Sequence, residues 1–148
     1  MANCYRSMTP NDHAMIAARA PIATGTLVAL IGPAGSGKTQ FTHGVPSHEV
    51  ICLDALRAMV SGDPGDQDAT AEAVRLQNIL IDARLTRSQT LYLDSTNVEV
   101  AVRARLVERA RRQERPLLAI VFTTPLDICL RRNSERPTNR RVPPDVLR

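Results

Sequence analysis

Four short apolar runs punctuate the chain: TLVALIG at 26–32, EVICL at 49–53, TLYLD at 90–94 and PLLAIVF at 116–122. Each is near-continuous rather than alternating, the pattern of strands covered on both faces. The segments between them carry helical signals. Residues 37–43 suit a short helix ended by Gly44 and Pro46. DALRAMV opens a second, with Asp54 placed to cap it, and the turn-rich SGDPGDQD follows. AEAVRLQNILIDARL (71–85) predicts a third helix, with Val74, Ile79 and residues 81–85 as a broad apolar stripe. Thr96 and Glu99 have capping-box spacing ahead of a helix reaching about Arg112, and PLDICLRRNSER forms the last before a basic loop. Strands alternating with helices indicate an α/β fold: a parallel sheet with helices on both faces. Residues 1–24 lack a period and are expected to form an irregular extension to one domain at 25–148.

Composition narrows the function classes. Hydrophobic residues make up 43% but aromatics only 3%, so the core is aliphatic and little surface exists for stacking bases. No apolar run approaches the ~18 residues of a membrane span, and MANCYRSMTPNDHA has no apolar segment of a secretory signal. Cys4, Cys52 and Cys129 lack metal-ligand spacing; with the Met residues they are expected to pack as reduced side chains in a cytoplasmic protein. His13, His43 and His48 are isolated, with no metal spacing. The net charge of +4 is divided unevenly, with 7 basic and 10 acidic residues through Val102 and 12 basic and 5 acidic from Arg103. That polarity suits an anionic partner on the C-terminal side. RARLVERARRQER also reads as a solvated helix face; RRNSERPTNRR has no apolar period to explain it that way.

Eighteen of the 19 cationic residues are arginine, and the single lysine, Lys38, lies in GPAGSGKT. These residues, Gly32 to Thr39, satisfy G-x-x-x-x-G-K-[ST] between a predicted strand and helix, the context that gives the motif meaning. Gly32, Gly35 and Gly37, with Ser36 between the last two, let the backbone wrap phosphate oxygens at the start of a helix. Lys38 sets a compact ammonium on the β- and γ-phosphates, where a planar guanidinium does not fit. Thr39 offers a hydroxyl to Mg²⁺. The expected ligand is a nucleoside triphosphate with Mg²⁺, in a kinase-like P-loop NTPase fold; the motif alone does not separate ATP from GTP.

Phosphoryl transfer to an alcohol needs a base beside the acceptor and a cation to align it. In a doubly wound sheet such groups lie at the C-terminal ends of strands. Asp54 ends the second predicted strand and Arg57 follows one helical turn later. On position alone, Asp54 serves equally as a helix cap and Arg57 as a surface residue. Asp94 ends the third strand, where an acidic residue holds Mg²⁺ or its water, or again caps a helix. Arg131, Arg132, Arg136, Arg140 and Arg141 fall within eleven residues, fit for a lid that neutralises charge over a triphosphate or for a static nucleic-acid-binding tail.

Together, GPAGSGKT, EVICLDALRAMVSGDPGDQ, LYLDSTNVEVAVRARL and AIVFTTPLDICLRRNSERPTNRRVP resemble the polynucleotide 5′-hydroxyl kinases, most closely the kinase domain of bacterial polynucleotide kinase/phosphatases of RNA repair. The resemblance runs from about Leu27 to Leu147. It implies that Asp54 is the general base for the 5′-OH and that Arg57 engages the acceptor end. It implies that Lys38 and Thr39 contact triphosphate and magnesium. Arg136 and Arg140 look like lid arginines on the ATP phosphates, with Arg141 able to replace Arg140, and Arg132 reaches toward the nucleobase. Leu53 stands where the family has a small polar residue, which implies a drier or narrower acceptor pocket, and Gln40 replaces a frequent second hydroxyl residue. The resemblance also implies a further helix and a fifth strand beyond Arg148. The edge beside the 116–122 strand is then open unless a protein partner, an oligomer or the N-terminal extension covers it.

The expected function is Mg²⁺-dependent transfer of the γ-phosphate of ATP to a polynucleotide 5′-OH, in RNA or DNA. The alternatives are a small-molecule hydroxyl kinase on the same scaffold, or a nucleotide-binding module without catalysis.

Overall fold

The computed structural model describes residues 4–8 and 21–147. Five strands form one sheet: β1 (Cys4–Met8), β2 (Leu27–Ile31), β3 (Val50–Cys52), β4 (Leu91–Asp94) and β5 (Leu117–Phe122). Their spatial order is β1-β5-β2-β4-β3, with all pairs parallel. The helices are α1 (Lys38–Thr42), α2 (Leu53–Ser61), α3 (Thr70–Thr86), α4 (Val100–Arg112) and α5 (Leu126–Ser134). One-turn 3₁₀ helices occupy Ser47–Glu49 and Thr138–Arg140.

The central strands bury both faces because apolar side chains point each way. Leu27 and Ala29 of β2, with Leu91 and Leu93 of β4, meet Leu56, Ile81, Leu85, Leu106 and Ala110 from α2, α3 and α4. Val28, Leu30, Tyr92, Ile120 and Phe122 form the opposite cluster, packed against Phe41 of α1. Phe41 meets Phe122 edge-on at 5.9 Å between centroids. Helices therefore lie on both faces, although only the short α1 contributes to the second cluster.

The largest departure from expectation is at the N-terminus. Residues 4–8 form an edge strand rather than irregular chain, registered from Cys4 on Leu118 to Met8 on Phe122. The outer edge of β5 is thus occupied by the chain itself, with no partner or oligomer required there, and the sheet has a fifth strand. The rest of the expected extension at 1–3 and 9–20, His13 included, lies outside the described residues.

Neither predicted cap forms. The N-cap of α2 is Cys52, and Asp54 sits inside the first turn with its carboxylate engaged elsewhere. Glu99 is the N-cap of α4 and makes no side-chain cap bond. Asn97 instead organises that approach: at φ 48° it turns its buried amide inward to donate to the Leu30 carbonyl at 2.8 Å. The stripe on α3 is also narrower than expected. Ala73, Ile81 and Leu85 are buried, whereas Ile79 is 63% exposed and Val74 also faces outward. Met59 is 77% exposed, so it does not share the packing role assigned to the sulfur-bearing residues.

Candidate functional site: a phosphate loop facing an arginine-bound carboxylate

The C-terminal ends of β2, β3 and β4 open into a cleft of about 1080 Å³, lined among others by Lys38, Thr39, Asp54, Arg57, Asp94 and Arg140. At its floor, the loop after β2 turns through Gly35 at φ 81° and Gly37 at φ 100°, the left-handed region that favours glycine. Gly35 is fixed a second way, since a Cβ there would stand 2.6 Å from the Cys129 carbonyl oxygen. Gly32 and Ser36 lie beneath the loop. Gly32 donates its N–H to the Thr96 carbonyl, and the carbonyl of the fully buried Ser36 accepts from the Thr124 hydroxyl at 2.8 Å.

Lys38 is buried, and its ammonium donates to the Gly32 and Pro33 carbonyls, each at 2.7 Å. Burial lowers its pKa from 10.5 to about 8; Asp94 opposes the shift and Arg136 adds to it. Thr39 donates its hydroxyl to Asp94 Oδ2 at 2.9 Å. Burial pushes the Asp94 carboxyl above its ordinary range, against the Thr39 hydrogen bond and the Lys38 charge. Beside it, burial also raises the Cys52 thiol.

This pair fits Mg²⁺. The ion keeps several waters and uses one or two carboxylates with substrate phosphates rather than an all-protein cage. One hydroxyl and one buried carboxylate beside a phosphate loop provide that donor set. Among the described residues no three His, Cys, Asp or Glu side chains cluster as a metal cage.

At the other end of the cleft, Asp54 is held by two arginines. Arg57 donates to Oδ1, and Arg140, 86 residues away in sequence, donates to Oδ2 at 3.0 Å. Arg57 is itself fixed, with Nε on the Pro64 carbonyl at 3.0 Å. The basic segment after α5 is a built loop. The buried Asn133 side chain clasps Val142 twice, accepting its N–H at 3.0 Å and donating to its carbonyl at 2.7 Å. Within the loop, Arg141 Nε reaches the Arg136 carbonyl. Its turn at Thr138–Arg140 lies over the loop after α2, with Asn139 donating to Asp63 at 2.8 Å.

The structure therefore gathers Gly35, Gly37, Lys38, Thr39, Asp54, Arg57, Asp94, Arg132, Arg136 and Arg140 around one cleft. Arg132 Nη1 donates to the Gly35 carbonyl at 3.2 Å, which places that arginine against the phosphate loop. Arg140 engages Asp54, and Arg141 does not take its place there. Leu53 lines the cleft and also packs against the apolar core, and the exposed Gln40 lines the cleft too. Sequence reasoning missed Asn97, Thr124 and Asn133, which hold the walls rather than the contents. Their only signal is a small polar residue just after a strand or at the end of a helix, which solvent-facing loops share.

Residues 27–148 match the family AAA_33, described as an AAA domain, and the chain belongs to that family. No curated protein matches it. Among solved structures, a chain of the "Structure of Pnkp1/Rnl/Hen1 complex" superposes with a TM-score of 0.63 at 19% identity, over 76% of this chain. The likeness shows a shared fold, and this chain corresponds to 40% of that one. No helix among the described residues is long and apolar enough to cross a membrane.

Proposed function

We propose that this AAA-domain chain is a Mg²⁺-dependent phosphotransferase that moves the γ-phosphate of ATP onto the 5′-hydroxyl of a polynucleotide, RNA or DNA. One observation carries the reading. A carboxylate held by two arginines lines the same cleft as the phosphate-loop lysine. That is a base and a phosphate clamp facing one volume. The resemblance to polynucleotide kinases supports the acceptor class, as does the basic C-terminal region.

In this reading the triphosphate lies in the phosphate loop, with Gly35, Ser36, Gly37 and Lys38 around its β- and γ-phosphates. Thr39 and Asp94 would hold Mg²⁺, which when bound neutralises charge on the phosphates. Arg132 and Arg136 add positive charge above the loop. Arg57 aligns the acceptor. The 5′-hydroxyl gives its proton to Asp54 as its oxygen bonds to the γ-phosphorus. The bond from that phosphorus to the β–γ bridging oxygen breaks, and its electron pair leaves with ADP. The products are a 5′-phosphate end and ADP, with the proton on Asp54 passing to solvent.

The test is transfer of labelled γ-phosphate to a short 5′-OH oligonucleotide by wild type, Asp54→Ala and Lys38→Ala. Label at the 5′ end that both substitutions abolish is the expected result. Nucleotide binding without label on any oligonucleotide would sink the reading.

A further inference from the structure

We propose that the outer face of α3 is a self-association surface. Two copies of this chain pair α3 against α3, antiparallel, about a two-fold axis that passes between Ile79 and Leu80. None of the residues involved lines the phosphotransfer cleft.

The helix is apolar on two sides. Ala73, Ile81 and Leu85 turn inward and are buried in the core. The flank toward α4 is also taken, because Arg109 donates to Asn78 at 2.8 Å and pairs with Asp82 at 3.2 Å. Leu76, Ile79 and Leu80 are left exposed. With Ala83 they recur at spacings of three and four residues, which sets them in one stripe along the outer side. A surface helix ordinarily carries charge there, and an apolar outer stripe marks a face that another surface covers. The neighbouring α2 exposes Met59 and Val60 as well.

The charges at its ends say what covers it. Glu72 lies in the first turn of α3 and Arg87 is its C-cap, both exposed and both on the side of the stripe. In the antiparallel register that sets Ile79 opposite Leu80 of the second copy, Leu76 meets Ala83 and Glu72 meets Arg87. Each contact occurs twice by symmetry. Large side chains then face small ones, and each charge faces its opposite. A parallel pair would instead set Glu72 on Glu72 and Arg87 on Arg87. Both groups keep their present bonds: Glu72 accepts from Arg75, and Arg87 gives one N–H of several to the Ala83 carbonyl. An unrelated protein would have to match this opposition of ends, whereas a second copy does so by symmetry alone. Pairing also leaves the cleft open. Thr70, the first residue of α3, lines the cleft, so antiparallel helices about 25 Å long hold the two clefts at opposite ends of the pair.

The experiment is sedimentation velocity on the full chain in low-salt buffer, from about 1 to about 200 μM, the range suited to an interface of one helix face. Wild type is expected to pass from monomer to dimer at about 10 μM. Ile79→Arg should stay monomeric throughout, with its urea midpoint unchanged because the side chain is on the surface. Glu72→Arg alone and Arg87→Glu alone should each weaken the dimer about 10-fold, since each sets like charges together twice. An equimolar mixture of those two variants restores opposite charges at both contacts and should dimerise as wild type does. Wild type that remains monomeric over the range would overturn the pairing and leave the stripe to a partner of another kind. A dimer that survives Ile79→Arg would place the contact elsewhere and overturn it too. Single charge reversals as tight as wild type, or a mixture as weak as its components, would overturn the antiparallel register.

Discussion

Thr39 and Asp94, 55 residues apart, are joined by a 2.9 Å hydrogen bond from hydroxyl to carboxylate. The bond ties the first turn of α1 to the end of β4 and sets side by side the two oxygens that would hold Mg²⁺ under the proposed function. Asp94→Asn keeps the shape and removes the charge. We expect the Mg²⁺ concentration needed for half-maximal phosphoryl transfer to rise about 10- to 100-fold. A Mg²⁺ titration at saturating nucleotide checks this, and an unchanged midpoint would remove Asp94 from the metal site.

Lys38 makes nucleotide affinity depend on pH. Its pKa in the structure is about 8, and triphosphate oxygens raise it because they favour the ammonium. The bound complex therefore holds a proton that the free protein begins to lose near pH 8. Affinity should be flat below that pH and fall above it, approaching tenfold per pH unit until the pKa of the complex is reached. Titration calorimetry between pH 7 and 10 reads the slope, and an affinity that stays level through pH 10 would overturn this role for Lys38.

Asn97 is a stability determinant. Its amide bridges the carbonyls of Leu30 on β2 and Ser95 after β4, at 2.8 and 3.2 Å. Asn97→Ala leaves a buried carbonyl unpaired and puts a residue less tolerant of positive φ at that turn. The expected loss is about 2–3 kcal/mol of unfolding free energy, read from urea denaturation.

Gly65→Ala separates the roof of the cleft from its fold. The added Cβ would collide with the Asn139 carbonyl and must push the Thr138–Arg140 turn aside. We expect kcat/KM for transfer to fall on the order of 10- to 100-fold. The unfolding free energy should stay within about 1 kcal/mol, because the collision lies between surface loops. An equal loss of stability and activity would place the turn in the core of the fold instead.

How far the sequence discloses this architecture differs from element to element. β2 and β4 are legible because each is an apolar run buried on both faces, β5 because its run is apolar although only Ile120 and Phe122 are buried, and the phosphate loop because its glycines and lysine have a fixed spacing. β1 is not legible: CYRSM has no apolar period, and its place comes from backbone pairing with β5. Asp54 looks like a cap because the competing partner, Arg140, comes from a distant loop that local spacing cannot reveal. Ile79 looks buried because its type is apolar, yet the inward face of α3 is set by Ala73, Ile81 and Leu85. Local chemistry is readable from a window of residues, while the division of arginines between the two ends of the cleft depends on where their loops land.

The edge strand also bears on how the chain assembles. Cys4 pairs with Leu118, a separation of 114 positions, so the earlier segment has no partner until the later one has been synthesised. Loop closure over that span precedes any reward from pairing, and contacts of this kind slow folding. During translation at about 5–20 residues per second, β1 waits several seconds beyond its own emergence while the phosphate loop and β4 can already meet. The strand that closes the sheet is made first and docked late, which puts the finishing of the outer edge after the assembly of the nucleotide cradle.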